Sequence, residues 1–216
     1  MNNPAIIIFG KSPRKDSVKT RLAHSLGDSF ARAFYFECLK GLKKEMIKLP
    51  ENIKKYLYAQ SDIDFMQEFF GEDFIVREQV EGDLSSKIVA AIKEVFKASH
   101  SSVIILASDT PSLLSPVVIE AIKALENHDL AIGPSNDGGY YLLGQKKLSP
   151  GLFSDMPWSS DKVFKTTCFR ARHLDLSYFE GQCLMDIDTK EDLDNWLGLK
   201  SSLRHPLRDW VLANLY

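Results

Sequence analysis

Val103-Ile104-Ile105-Leu106-Ala107-Ser108-Asp109-Thr110-Pro111 is an apolar run that ends on a carboxylate. Five apolar residues in a row read as a strand buried on both faces. Such strands belong to open α/β sheets, whose ligands bind where parallel strands end at their C-terminal edge. Asp109 falls at that edge, where a carboxylate is well placed to hold a hard divalent cation through oxygen. Pro111 biases Thr110 towards an extended conformation and fixes where the chain leaves the strand. Asp109 is therefore a candidate metal ligand.

The same logic organises the rest of the chain. Ala5-Ile6-Ile7-Ile8-Phe9 is a second continuous apolar run, expected as a central parallel strand. Residues 10–27 read as a polar, basic loop. A helix is expected over 30–48, with Asp28 or Ser29 as N-cap and Phe30, Ala33, Phe34 and Cys38 on one face. Strands are expected at 54–59 and 75–79, with a short helix over 62–70 between them. Asp83 should cap a helix carrying Leu84, Ile88, Ala91, Ile92, Val95 and Phe96 on one face. Ser115-Pro116 reads as a helix start, with serine as N-cap and proline at the first helical position. That helix should end near Asn127. A strand follows at 130–133. Asn136-Asp137-Gly138-Gly139 then turns into Tyr140–Gly144, which pairs as a hairpin or forms an edge strand. Helices over 160–173, 190–197 and 207–216 complete the pattern. Alternation of strands with helices points to one mostly parallel sheet flanked by helices on both faces, a single Rossmann-like domain over residues 1–216.

Composition narrows the function. At 216 residues, 44% hydrophobic and 26% charged, the chain suits a globular domain with a substantial core. A net charge of −2 argues against a nucleic-acid groove or a polybasic membrane surface. No apolar run approaches the roughly 20 residues of a membrane span. Cys38, Cys168 and Cys183 form neither a CxxC pair nor a disulfide framework, and read as small buried hydrophobes in a reducing compartment. The chain enters a strand almost at once, so no signal peptide is visible, and a cytoplasmic location is expected.

Several constellations could carry chemistry. Between Lys11 and Arg21 stand five basic residues and one acid, directly after the first strand. Arginine offers phosphate oxygens a bidentate fork and lysine a point charge, so this loop suits a diphosphate; a solvated basic loop is the alternative. Neither GxxxxGK[ST] nor GxGxxG is present. Asp186-Ile187-Asp188-Thr189 sets two carboxylates two residues apart, on one side if the segment is extended. One or both could complete a metal shell with Asp109, or Asp188 or Thr189 could simply cap the following helix. Asp137-Gly138-Gly139-Tyr140 could let a ligand approach the backbone, or could be a hairpin turn. Gly82-Asp83 could contact a nucleotide base or ribose, although capping explains Asp83. Trp158 in Pro157-Trp158-Ser159-Ser160 offers a stacking surface for a sugar or base, or packs in the core. The five histidines show no ligand spacing, and no GxSxG elbow or Cys-His pairing suggests a nucleophile. The segment 210–216 could pack on its own core or present an apolar partner surface.

Six stretches occur together in order: FGKSPRKDSVKTRL from Phe9, Gly82-Asp83-Leu84, SDTP from Ser108, GPSNDGGYYLLG from Gly133, Pro157-Trp158-Ser159 and DIDTKEDL from Asp186. Together they resemble the selenodomain-associated transferase family, often found beside radical-SAM proteins. That family belongs to the nucleotide-diphospho-sugar transferase superfamily with the GT-A fold. The resemblance implies that Gly10, Lys11, Lys19 and Arg21 bind nucleotide phosphates, with Gly82 and Asp83 also at the nucleotide. It implies that Asp109 and Asp188 hold a divalent metal, magnesium or manganese. Asp137, Gly138, Gly139, Tyr140 and Trp158 would then lie by a small-molecule acceptor. Asp16 stands where the family commonly has glycine, and Lys87-Ile88 where an arginine-methionine pair is common. The LxGGxSxRxG loop of classical sugar-nucleotide pyrophosphorylases is missing.

The leading expectation is thus a metal-dependent transferase using a nucleotide-diphosphate-sugar donor. The metal would neutralise the leaving diphosphate, with Lys19 and Arg21 assisting and Asp137 as candidate general base. Nucleotidyl transfer to a phosphorylated small molecule is the alternative, and a non-catalytic nucleotide-sugar-binding partner protein is a third. Oligomeric state stays open.

Overall fold

The computed structural model describes residues 3–203 and 205–215. Its strands are β1 (Pro4–Gly10), β2 (Lys54–Ala59), β3 (Ile75–Glu78), β4 (Ser102–Leu106), β5 (Leu130–Pro134), β6 (Tyr140–Gln145) and β7 (Tyr178–Glu180). They form one sheet in the order β3-β2-β1-β4-β6-β5-β7. β6 runs antiparallel to its neighbours β4 and β5, and every other pairing is parallel. The expected α/β architecture is therefore the observed one.

Continuous apolar strands arise because both faces of this sheet are covered. Along β1, Ile6 and Ile8 enter one core with Leu57, Ile104 and Leu106. Ala5 and Ile7 enter the other with Tyr56, Val103 and Ile105. The first face is covered by α2 (Asp28–Ile47), α3 (Ile63–Phe70) and α5 (Ser115–Ala124). The second is covered by α4 (Leu84–Lys97) and α6 (Val163–His173). A third cluster joins α2 to α1 (Thr20–Leu26), α7 (Lys190–Gly198) and α8 (Pro206–Leu215) around the fully buried Trp196.

The structure corrects the sequence expectations in several places. Residues 20–26, expected as loop, form α1, held by the fully buried Leu22. α2 begins at Asp28 with Gly27 in the cap position, so neither Asp28 nor Ser29 is the N-cap. Its buried face is Ala31, Phe34, Tyr35, Cys38, Leu39, Leu42 and Met46; Ala33 is exposed. In α5 the cap position is Leu114, and the backbone N–H and hydroxyl of Ser115 both donate to Glu45 of α2 at 3.2 Å. A carboxylate on a neighbouring helix thus supplies the acceptor expected from serine. β6 is the hairpin partner of β5, yet it is an inner strand, because its other edge pairs with β4. β7 was not anticipated, and Cys183 is exposed while Cys38 and Cys168 are buried.

Leu207 and Val211 of α8 are buried against α2 and α7, and Trp210 packs 5.6 Å from Phe30 between ring centroids. Core packing accounts for Trp210, Val211 and Leu215, while Leu212, Ala213 and Asn214 are exposed; Tyr216, the end of the expected helix, lies outside the described residues. Among the described residues no helix is long and apolar enough to cross a membrane.

Replacing Trp196 with alanine should open a large cavity in the third cluster. The expected loss is about 3–5 kcal/mol of unfolding free energy in urea titration. A loss below about 1 kcal/mol would show that α7 and α8 are not held by this residue.

Candidate functional site

From β1 the chain builds outwards through β2 and β3, then crosses back to place β4 on the other side of β1. This reversal opens a crevice beyond the C-terminal ends of β1 and β4. A cleft of about 520 Å3 lies there, lined by Gly10, Lys11, Lys19, Arg21, Asp109 and Asp188 among others. The structure thus brings six of the residues singled out in the sequence to one place.

The basic loop divides by partner. Arg14 lies over the Phe65 ring, 4.7 Å from its centroid, and Lys15 pairs with Asp62 at 3.0 Å. Lys11, Lys19 and Arg21 are the ones that line the cleft. The loop is folded around the buried Asp16, whose carboxylate accepts from the Ser12 backbone N–H at 2.6 Å and from the Ser61 hydroxyl at 3.0 Å. Arg32 secures the loop from α2 by donating to the carbonyls of Pro13 and Asp16.

Lys19 sits at the start of α1 with φ 48° and ψ 45°, a left-handed conformation unusual for a residue with a side chain. Its ammonium is 2.7 Å from Asp109 Oδ2 and 2.7 Å from Asp188 Oδ1, and its side chain is only 4% exposed. Burial alone would lower the Lys19 pKa, but the two carboxylates outweigh it and raise the value. For Asp188, burial pushes the carboxyl up, and the Lys19 and Arg21 charges more than reverse this, leaving it lowered. Arg21 stands 3.8 Å from Asp188 on the solvent side.

The segment after β7 delivers Asp188. Leu184 donates its N–H to the Pro134 carbonyl, and the buried Ile187 donates to the Asp109 carbonyl at 3.4 Å. Thr189, not Asp188, caps α7, in a capping box with Asp192. The Asp188 carboxylate is therefore free of capping duty and faces Lys19. Asp186 accepts from the Thr110 hydroxyl, and burial followed by the Asp109 charge raises its pKa.

Tyr35 was not singled out in the sequence. Its hydroxyl accepts the Lys11 N–H at 3.1 Å and lies 3.3 Å from Ser108 Oγ, linking the loops that follow β1 and β4. Burial raises the phenol to about 12, so it stays protonated and can donate to Ser108. Gln60, Gln79 and Lys87 complete the cleft wall. A tyrosine on an otherwise apolar helix face was the available signal.

The remaining sequence candidates have other neighbours. Asp83 caps α4, accepting from Ser86 N at 2.8 Å beside Gly82, whose φ is +123°; Leu84 and Lys87 of α4 reach the cleft instead. Asp137 accepts from the Ser135 hydroxyl at 2.5 Å and the Gly139 N–H at 2.9 Å, closing the β5–β6 turn. At Gly138 (φ +87°) a Cβ would come within 2.3–2.6 Å of the Asp161 main chain, so the close approach there is to the protein itself. Trp158 is partly buried, donates to Ser85 Oγ at 2.8 Å and packs edge-on to Tyr140. Of the two readings of Trp158, these contacts are those of core packing.

Among the described residues no cluster of three or more histidine, cysteine or acidic side chains could by itself enclose a metal. Asp109 and Asp188 nonetheless converge on one cation, the Lys19 ammonium. Two carboxylates suit magnesium or manganese, which keeps several waters and completes its shell with ligand phosphates. The donor set therefore fits a metal that arrives with a phosphorylated ligand.

A sheet with its cleft at this switch point defines the class. A Desulfovibrio desulfuricans G20 protein assigned as a nucleotide-diphospho-sugar transferase has the same fold, with a TM-score of 0.89 and 26% identity over 99% of this chain and 96% of that one. The inositol-1-phosphate CTP transferase of T. maritima (TM-score 0.60, 13% identity, 96% and 95% coverage) shares the fold. So does a cytidylyltransferase of Leptospira borgpetersenii serovar Hardjo-bovis strain JB197 (TM-score 0.53, 14% identity, 99% and 95% coverage). The chain has the fold of the nucleotide-diphospho-sugar transferases. Its residues 47–160 match the family described as uncharacterized protein conserved in bacteria (DUF2064), and the chain belongs to that family. No curated protein matches it.

Replacing Tyr35 with phenylalanine would leave the Lys11 amide without its acceptor. The expected loss is about 1 kcal/mol of stability in urea titration. Hydrogen exchange at the Lys11 amide should quicken more than at β1; unchanged exchange would mean that this bond does not hold the loop.

Proposed function

We propose that the chain transfers a glycosyl group from a nucleotide-diphosphate-sugar donor to a small-molecule acceptor. The observation that carries this reading is the meeting of Lys11, Lys19, Arg21, Asp109 and Asp188 in one cleft at the end of β1 and β4. Lys11 and Arg21 would bind the diphosphate oxygens, the arginine through its fork. Asp109 and Asp188 would hold magnesium or manganese, which when bound neutralises charge on the leaving diphosphate. Tyr35 and Asp16 would keep the loop in shape for the phosphates. The acceptor would enter past Ser159, which lines the cleft wall. Asp137 as general base would first have to give up its turn contacts, so an acceptor hydroxyl activated elsewhere in the cleft fits better. The likeness to selenodomain-associated transferases supports the same substrate class. Two buried free thiols among the three cysteines suit a reducing, cytoplasmic setting.

A second reading, nucleotidyl transfer from a nucleoside triphosphate, is favoured by one feature. Ser108-Asp109-Thr110 holds a single acid, and its partner Asp188 comes from a remote stretch, where it looks like the second metal aspartate of related guanylyltransferases. Product analysis separates the two. Incubation with nucleotide-sugars and magnesium should release nucleoside diphosphate. Release of pyrophosphate from a triphosphate with a phosphorylated acceptor would install the second reading instead. In calorimetry, Asp109→Asn should weaken metal-dependent nucleotide affinity by at least about tenfold, or 1.4 kcal/mol. Equal affinity in the variant and the unaltered chain would remove Asp109 from the site.

A further inference from the structure

We propose that Lys19 guards the carboxylate pair, so that a divalent cation enters only in company with a phosphorylated ligand that draws the lysine away. This inference rests on the reading of the cleft as a nucleotide-diphosphate site. Its observation is the position of one ammonium, 2.7 Å from each of the two carboxylates that would ligate the metal. Both cations need the same oxygens. A metal bound to Asp109 and Asp188 with Lys19 still between them would set two positive centres side by side in a half-buried place.

Competition follows from the arithmetic of populations. A ligand that binds only when its site is open loses affinity in proportion to the fraction of molecules that are open. If Lys19 occupies the carboxylates about 99% of the time, free metal binds about 100-fold more weakly than the pair would otherwise allow. A metal–diphosphate complex meets a different balance. The phosphate oxygens offer Lys19 a new acceptor of the same charge type, so the ammonium exchanges partners without being left unpaired.

The backbone at Lys19 is suited to such an exchange. Its left-handed conformation, at the N-cap of α1 and with no side-chain cap bond, persists only where the surroundings enforce it. The two ion pairs and the Ala23 N–H that donates to the Lys19 carbonyl at 2.8 Å surround it here. The four-carbon stem lets the ammonium move while Val18 and Leu22, both buried, keep the chain anchored on either side. Arg21, 70% exposed and 3.8 Å from Asp188, is loosely held there and can turn its fork to the diphosphate in the same exchange.

The test measures manganese binding by titration calorimetry or paramagnetic resonance. It uses the unaltered chain, Lys19→Met and Lys19→Arg, each with manganese alone and with manganese plus a nucleoside diphosphate. The proposal expects Lys19→Met to bind free manganese at least tenfold more tightly than the unaltered chain. The same variant should bind the manganese–nucleotide complex no more tightly, or less. Lys19→Arg, which keeps the charge, should remain closed to free manganese. Free-manganese affinity unchanged in Lys19→Met, in a chain that does bind manganese with nucleotide, overturns the guard while leaving the nucleotide site standing. No nucleotide binding to the unaltered chain, with or without manganese, overturns the nucleotide reading. A gain of manganese affinity in Lys19→Met would then still establish the competition itself. Should circular dichroism show Lys19→Met unfolded, Lys19→Gln, which removes the charge but keeps a hydrogen-bond donor, answers the same question.

Discussion

One buried ammonium holds together three parts of the chain that are far apart in sequence. Lys19 reaches Asp109 and Asp188 across separations of 90 and 169 residues. Removing a charged group from water is expensive unless partners satisfy it, and breaking a buried pair leaves an uncompensated charge behind. The loop after β1, the loop after β4 and the segment after β7 must therefore keep their mutual positions. Tyr35 adds a neutral tie between the first two, and the Ile187–Asp109 backbone contact adds one between the last two.

Much of the sheet could be read from the sequence, for a physical reason. β1 and β4 are covered on both faces, so nearly every position is apolar and the run cannot be mistaken for a solvent-facing segment. α1 could not be read that way. It is seven residues long and fully buries only Leu22, with Ala23 and Leu26 partly buried among polar residues, too short a span for a periodicity to rise above the surrounding loop. β7 has three residues and pairs on one side with β5, too little to leave a pattern. The placement of β6 inside the sheet is a matter of long-range pairing, which local turn chemistry does not encode.

The site was legible where topology alone fixes it. Asp109 follows a buried strand and needs no further information to be placed at the sheet's C-terminal edge. The basic loop was legible as a charge surplus but not residue by residue. Only the fold separates Lys11, Lys19 and Arg21 from Arg14, which lies on Phe65, and Lys15, which pairs with Asp62. Asp16 reads as a surface acid, yet it is the buried acceptor around which the loop folds. Tyr35 hides for the opposite reason: on a helix face shared with Phe34, Cys38 and Leu39 it reads as core, and its polar tip finds meaning only against Lys11 and Ser108. Gly138 and Trp158 show how such signals divide, since the first lies against the Asp161 main chain and the second donates to Ser85 and packs on Tyr140.

Charge balance gives the cleft its direction. Its wall carries four cationic side chains (Lys11, Lys19, Arg21 and Lys87) against the carboxylates of Asp109 and Asp188. In a chain whose net charge is −2, this concavity is a local surplus of positive charge. Such a cleft concentrates anions and repels free cations. The two carboxylates on their own would have drawn a metal in; with Lys19 between them and Arg21 beside them they present no net attraction. An incoming anion therefore meets the positive side of the site before any cation meets the negative side. That asymmetry lies in the positions of the four basic residues and needs no movement of the sheet to operate.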